Sequence, residues 1–581
     1  MSSSGQDGVL LDTLHRSVLS LGRGFDVTSD TRLLYCKGAP GSTLVDIDEL
    51  NTRDLIPGLS NVSIDIDIVE EASGRNTTPV LPFLQMSKCF NKKSHLDGHI
   101  PLGSFNSMFN FTGPWKIDAA TTKSLAMDGF FIPLYKVILT SKLILKEEIQ
   151  KSIPHTWEPE SLSSFIENYG THIITSVTIG GQDVVYVKQQ NSSLLSKIDI
   201  EKYVKDIGDQ RFKDSDSLLS SGPVSSKADP SLANNRDGQL QSSNTNHLSR
   251  KEDITVIFRR RGGDDLVQDL NKWKETINSS PDVINMTFLP ITYLLDDSIG
   301  SKHLVRAIDL YLEYKPSIEE LQYFLDFQIQ RVWAPEQNNA RGHQRKEPVC
   351  PSLQFSLMGS KIFISSEQIT VGRKPVTGLR LCLESSKQNR LSIHLQHLST
   401  LPKILQSHWN PEIAIGAPKW QGPEEQDSRW FQPIKWKNFA HVSTAPVEHT
   451  ETNIGDLSGV FIVTGSQLGV WDFGAKSVLY LKLLFSKVPG CSIRRSVWDH
   501  SPNTNLQVQD ELALSYSNEK RDVDDKKSES IQSGKFAKII DTTEMLKGPQ
   551  DTPGHWLVTG AKLGIEKGKI VIRVKYSLLN Y

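Results

Sequence analysis

Residues 172–187, HIITSVTIGGQDVVYV, set two adjacent glycines, Gly180-Gly181, between Ile173 to Ile179 and Val184 to Val187, two runs rich in strand-forming residues. β-Branched side chains favour extended backbone and pack well on a pleated surface. They resist a sharp bend, whereas glycine has no side chain to oppose a bend or a close backbone approach. The segment reads as one long strand kinked at its middle or as two strands joined by a tight turn. Spacing alone leaves the two readings even. Either way a sheet is built around this stretch, directly after Tyr169-Gly170-Thr171-His172 and a short helix expected over Ser161 to Tyr169.

The flanking patterns supply further elements. Leu10, Leu11, Leu14, Val18 and Leu21 recur at near-helical spacing. Val62 to Ile68 alternates with period two and predicts a strand, with a turn over residues 71–79. Ala126 to Leu139 is strand-like, and Ile200, Tyr203, Val204 and Ile207 form a helical stripe. Residues 214–250, rich in Ser, Asn and Asp, read as a loop or disordered insertion. Ile254 to Phe258 predicts a strand stopped by Gly262-Gly263, followed by helical stripes at Leu266, Leu270, Trp273, Ile277 and at Leu304, Ile308, Leu312. Ser317 with Glu320 has capping-box spacing, and Leu321, Leu325, Gln328 and Val332 predict one face of a helix ending near Trp333.

A chain of 581 residues is too long for one core. The polar run PEQNNARGHQRKE predicts a first domain over residues 1–334, a linker over 335–347 and a β-rich module over 348–581. In that module FIVTGSQLGVW, Phe461 to Trp471, is echoed by WLVTGAKLGIE, Trp556 to Glu566, and each precedes a strand run. Two related hairpins are expected.

Net charge is -2 and pI about 6.7, so nothing in the overall balance suggests nucleic acid. Arg259-Arg260-Arg261 is the densest basic run and reads as a solvated strand end. Five cysteines without metal-ligand spacing predict reduced thiols, and the N-terminus lacks the pattern of a signal peptide. No stretch approaches the ~20 apolar residues of a membrane-spanning helix. His172 has no nucleophile elbow or ligand cluster beside it, so a structural hydrogen bond is expected and no catalytic residue, metal ligand or cofactor is assigned. His394 and His397 lie in a strand and should face opposite ways. Trp409, Trp420, Trp430, Trp436 and Trp471 read mainly as core or turn packing, with an interfacial-anchor role as the lesser alternative. Glu519 to Lys527 is a solvated loop rather than a calcium site.

Tyr169-Gly170-Thr171-His172, followed after Ile173 to Ile179 by Gly180-Gly181, resembles the signature of the membrane attack complex/perforin (MACPF) superfamily. Gly22 to Val27, Arg32 to Gly38, Val558 to Leu563 and Val574 to Leu579 are similar to runs in plant MACPF proteins that restrain cell death, the branch of constitutively activated cell death and necrotic spotted lesions. The resemblance covers nearly the whole chain. It implies an α+β fold like that of the MACPF and cholesterol-dependent-cytolysin proteins: a bent four-stranded antiparallel sheet with two flanking helical clusters, then an all-β module. The first cluster would fall in residues 87–122, the second in 191–250, and the glycine pair at the bend.

In pore-forming members each cluster unfurls into a hairpin once subunits form a ring. The resemblance therefore implies membrane lipids, further copies in a ring or arc, and unidentified proteins as partners, with no nucleic acid. It also implies a non-enzymatic, cytoplasmic protein, peripheral at the plasma membrane, that negatively controls salicylic-acid-linked cell death in immunity. Lys197, Asp199, Glu201, Lys202, Lys205 and Asp206 depart from the apolar alternation of a membrane hairpin. They keep open a non-inserting scaffold on the same fold.

Overall fold

The computed structural model describes residues 3–112, 115–212, 253–295, 299–335, 350–355, 361–385, 388–409, 419–434, 439–449, 459–474, 476–499, 536–547 and 553–581. The chain divides into two compact units, Met1–Lys315 and Pro316–Tyr581. In chain order the first contains α1 (Ser3–Val18), β1 (Gly24–Phe25), β2 (Thr52–Arg53), β3 (Val62–Ser63), β4 (Ile66–Val69), β5 (Gly74–Leu81), α2 (Phe83–Lys93), α3 (Gly103–Phe109), α4 (Trp115–Thr121) and β6 (Thr122–Leu139). There follow α5 (Glu147–Lys151), α6 (Pro159–Tyr169), β7 (His172–Gln190), α7 (Lys197–Arg211), β8 (Ile254–Arg261), α8 (Leu270–Thr276), β9 (Asp282–Pro290) and α9 (Ile299–Tyr314).

The glycine pair lies inside one continuous strand, β7, so the hairpin reading falls. β6 and β7 pair antiparallel along nearly their whole length, from Thr122↔Gln190 to Ile138↔Ser176. Their outer neighbours change at the glycines. β9 pairs β7 as far as Gly180, and β8 takes over at Gln182. On the other side β4 pairs β6 over Lys136 to Leu139, and β5 pairs it over Leu125 to Phe131. One half is thus β5, β6, β7 and β8, the other is β4, β6, β7 and β9 with the two-residue β1 at its end, and only β6 and β7 run through both. Register shifts at Pro133/Tyr135 and at Thr178/Ile179 concentrate bulges at the junction, and bulges bend strands. The outer strands of the sheet thus change at Gly180-Gly181.

Several sequence expectations change in this unit. The strand expected over Val62 to Ile68 is two: Val62-Ser63 pairs β2, while Ile66–Val69 pairs β6. Asp65 breaks it, its carboxylate accepting from the Asp48 N–H at 2.8 Å. Residues 71–79 are largely strand β5, not a turn. As an edge strand, β5 exposes Arg75, Asn76 and Thr77, so its composition mimics a loop. Leu266 is exposed, and its helical stripe begins at Leu270.

In the second unit, Ser317 caps helix Ile318–Asp326 with its carbonyl, which accepts from the Glu320 N–H at 3.0 Å, but its side chain makes no cap bond, and the Glu320 carboxylate instead accepts from Arg494 at 2.8 Å. The helix does not reach Trp333. Strand Arg331–Ala334 intervenes and pairs with Leu395 to Leu398. A strand partner overrides the helical period there, and it puts residues 316–334 in the second compact unit rather than the first. The proposed linker falls mostly on residues outside the described set.

The rest of this unit is three sheets, each holding one long hairpin: Val376–Glu384 with Arg390–Leu398, Val460–Asp472 with Ser477–Val488, and Leu557–Glu566 with Lys569–Asn580. The last two are the expected repeat. The first is a third copy that sequence reading missed. Each copy carries Val-Thr-Gly in its first strand, and each threonine is the extra residue of a bulge: Thr377, Thr464 and Thr559. All three are buried and hydrogen-bonded across the hairpin, to Gln396, Ser486 and Ser577 respectively. One apolar core fills the space between the three sheets, drawing on Leu379, Leu468 and Leu563.

Candidate functional site

The signature residues form two constructions. At the first, Tyr169 ends α6 and Gly170 turns the chain with φ 76°, a region that favours glycine. A side chain at Gly170 would also meet Phe25 backbone at 2.6 Å. The Thr171 N–H donates to the Phe25 carbonyl at 3.0 Å, and β1 pairs Phe25 with His172. The Arg23 guanidinium donates to the carbonyls of Lys37 and Cys36 at 3.0 and 3.1 Å and to that of Gly38. The two N-terminal runs are therefore wound around each other and stitched to the start of β7.

His172 is buried, with Nδ1 2.9 Å from the Thr171 hydroxyl and its ring edge-on to Phe288. Burial pushes its pKa down to about 3, so the imidazole is neutral. No carboxylate orients it among its hydrogen bonds. The expected bond to a neighbouring strand or helix is made instead to the adjacent residue. This corner pins the strand.

The second construction is the bend. A side chain at Gly180 would stand 2.0 Å from the Ile132 carbonyl of β6, and one at Gly181 2.5 Å from Ile277 Cδ1 and 3.1 Å from the Trp273 ring. Backbone cannot retreat as a side chain can, so Gly180 is the stricter position. Just past β8, Gly262 approaches the Gly180 carbonyl so closely that a Cβ there would lie at 2.2 Å. Trp273 closes the junction, its Nε1–H donating to the Gly262 carbonyl at 3.1 Å.

Beyond the bend both faces of the sheet are covered by helices. On the face of Tyr186, α2 and α3 pack through rings: Phe83–Phe105 at 5.2 Å, Phe90–Phe105 at 5.5 Å and Phe109–Tyr186 at 5.0 Å between centroids. On the opposite face α7 buries only Ile200, Val204 and Gly208 of its own length. Ion pairs supplement that small apolar contact. Asp183 of β7, 1% exposed, receives Arg211 of α7 at 2.8 Å and Arg260 of β8 at 2.7 Å. Asp128 of β6 is equally buried and takes Arg75, which also reaches Asp209 of α7 at 2.7 Å. A side chain at Gly208 would stand 2.0 Å from the Asp128 carboxylate, so glycine lets the helix sit over this pair.

Arg259-Arg260-Arg261 is not a solvated strand end. Period-two alternation sends Arg260 to Asp183 and across the Trp273 ring, 5.0 Å from its centroid. Arg259 donates to the Ser107 carbonyl of α3 at 3.0 Å, and Arg261 donates to the Thr31 carbonyl at 2.9 Å and pairs with Asp30. The run fastens the sheet to its surroundings on both faces.

The MAC/Perforin domain family matches residues 15–321. The chain belongs to the MACPF family. Over nearly its full length this MACPF chain is similar to the MACPF domain-containing protein CAD1 of Arabidopsis thaliana, 62% identical over 577 residues, covering 98% of this chain and 97% of that protein. It is 42% identical to the Arabidopsis thaliana MACPF domain-containing protein At4g24290, covering 96% and 95% of the two chains. Among solved structures it is similar to GNIP1Aa from Chromobacterium piscinae, at 12% identity and TM-score 0.34, covering 83% and 85%.

In this MACPF chain the sequence reading missed Asp128, Asp183, Gly208 and the roles of Arg23 and the arginine triplet. A usable signal was present. Asp128 and Asp183 are lone acids inside strand-forming runs, where a buried charge requires a partner.

Other sites assign no chemistry. Among the described residues no group of three His, Cys, Asp or Glu is placed to hold a metal, and no helix is long and apolar enough to cross a membrane. The five cysteines are unpaired thiols. His394 Nε2 lies 2.9 Å from Glu384, whereas His397 bonds the Leu398 carbonyl. Trp420 and Trp471 are half-buried and Trp430 is exposed. The side chains of Trp409 and Trp436, and all of Glu519 to Lys527, lie outside the described residues, as does most of the expected second cluster.

Proposed function

We propose that this chain is a non-catalytic, cytoplasmic MACPF protein that negatively regulates salicylic-acid-linked programmed cell death in plant immunity. It acts by assembling on a membrane, peripheral at the plasma membrane, and opening its sheet at Gly180-Gly181 to release the helical covers. The regulatory part rests on the resemblance of Gly22 to Val27, Arg32 to Gly38, Val558 to Leu563 and Val574 to Leu579 to plant MACPF proteins that restrain cell death. One structural observation supports the mechanical part: only β6 and β7 cross the bend, while every outer strand changes there. Straightening at that line would leave the central pairing intact. Strands entering lipid need a closed barrel, since an open edge leaves backbone groups unpaired, and neighbouring copies supply the missing partners. A second reading, a non-inserting scaffold that binds proteins, is favoured by the exposed charges of α7 at Lys197, Glu201, Lys202, Lys205 and Asp206.

Dye release from anionic, plant-like liposomes, with negative-stain imaging of the same samples, separates the readings. Leakage with rings or arcs is expected, and Gly180→Val/Gly181→Val abolishes both. Should that variant not fold, Gly181→Ala/Ile277→Val is the milder control, because the displaced atom is a side-chain end. Bound protein without leakage or assemblies supports the scaffold and rejects insertion.

A further inference from the structure

Against the sheet, under the first helical cover, lies a cavity of about 280 Å³. Its walls come chiefly from α2, α3, β6, β7 and β9; Phe90, Met108, Met127, Phe131 and Tyr186 form an apolar side, and polar residues such as Gln182 and Asn285 line the rest. Two polar groups here have no matching partner. Thr178 Oγ1, two residues before Gly180, is buried without a hydrogen bond. Lys93, the last residue of α2, turns its ammonium toward Met127 Sδ at 3.9 Å and the rings of Phe90 and Phe131 at 5.7 and 5.8 Å. Glu71, the acid among the lining residues, is paired with Lys136 at 2.6 Å. The lysine therefore faces rings and a thioether without a counter-ion.

A buried hydroxyl left unpaired is a cost that a bound molecule removes. A single water would satisfy Thr178 but would answer neither the cation nor the aromatic walls. A cavity just under ~300 Å³ with an aromatic side and convergent polar groups has the character of a site for a small molecule. Rings on several sides favour a flat apolar body, and an unpaired ammonium favours an anionic head.

We propose that this cavity binds a small, flat apolar carboxylate, with its anionic head on Lys93, its body among Phe90, Phe131 and Tyr186, and the Thr178 hydroxyl as second polar contact. Such a molecule touches α2 and α3 on one side and β6, β7 and β9 on the other, next to the bend. It ties the first cover to the sheet and stabilises the closed form by mass action. The binding stands by itself; its effect on opening rests on the reading of the bend given above.

Titration calorimetry on the full chain tests binding with two probes of one shape, 2-naphthoate and the neutral 2-naphthamide. Naphthoate should bind about tenfold more tightly, the order expected for one charge-assisted contact. Lys93→Met should erase that preference; methionine keeps an unbranched stem beside Phe90 and Phe131, so the fold is retained. Thr178→Val should weaken both probes. Equal affinities, a preference that survives Lys93→Met, or no binding at millimolar probe overturns the site. Hydrogen exchange with saturating naphthoate tests the tie: protection should rise in Phe83 to Phe109 and not in Lys197 to Arg211. A uniform change or none rejects it. Failure of liposome leakage would reject the bend reading while leaving the calorimetric result standing.

Discussion

The two helical covers lie on opposite faces of the same strands and are held by different forces. Under α2 and α3 a continuous set of rings meets Tyr186, an attachment that is apolar and short-ranged. Under α7 a smaller apolar patch is supplemented by two buried carboxylates, Asp128 and Asp183, and three arginines. Apolar packing is non-directional and weakens gradually as area is lost. A buried ion pair is stable only while both partners are in place, because removing one leaves an uncompensated charge. The first cover should therefore loosen progressively, and the second should release abruptly once its pairs part.

Removing a ring should have the largest effect. Phe105→Ala deletes the centre of the aromatic set and should cost about 3–5 kcal/mol in urea unfolding. Exchange protection should fall in Phe83 to Phe109 and persist in Lys197 to Arg211; equal loss in both would erase the distinction between the covers.

Asp183→Asn should come next, at about 3 kcal/mol, because Arg211 and Arg260 then face a neutral amide in a buried setting. Protection should be lost chiefly in α7. Were the first cover to open with it, the two attachments would be one cooperative unit. The smallest expected effect is that of salt. Raising ionic strength screens the half-exposed Asp209 and Arg75, so opening of α7 should increase by ~1 kcal/mol or less. The ring-packed cover should not follow, and an equal response from both would argue against an electrostatic attachment.

The bend was half legible in sequence. Two glycines among β-branched residues announced a special backbone, but a kink and a turn share that pattern. Pairing with β6 on both sides of Gly180-Gly181 decided for one continuous strand and against the turn. Edge strand β5 was hidden because its exposed Arg75, Asn76 and Thr77 look like loop residues. The third hairpin of the second unit escaped for a related reason: Val376-Thr377-Gly378 shares the short Val-Thr-Gly run, while the residues after it diverge. The capping box at Ser317 failed because its glutamate found an arginine distant in sequence.

What the sequence determined by itself was local: extended backbone over Ile173 to Val187, the signature corner beside it, the amphipathic helices, and two repeated hairpins in the C-terminal half. These follow from side-chain sterics and periodicity within a few residues. The tertiary structure decided which face each arginine of Arg259-Arg260-Arg261 serves, that Asp128 and Asp183 hold α7, and that a cavity with an unpaired lysine lies against the bend. Each depends on groups brought together from distant parts of the chain. The energy of a charge or hydroxyl is set by the partners and burial it finally meets, which no short stretch of sequence contains.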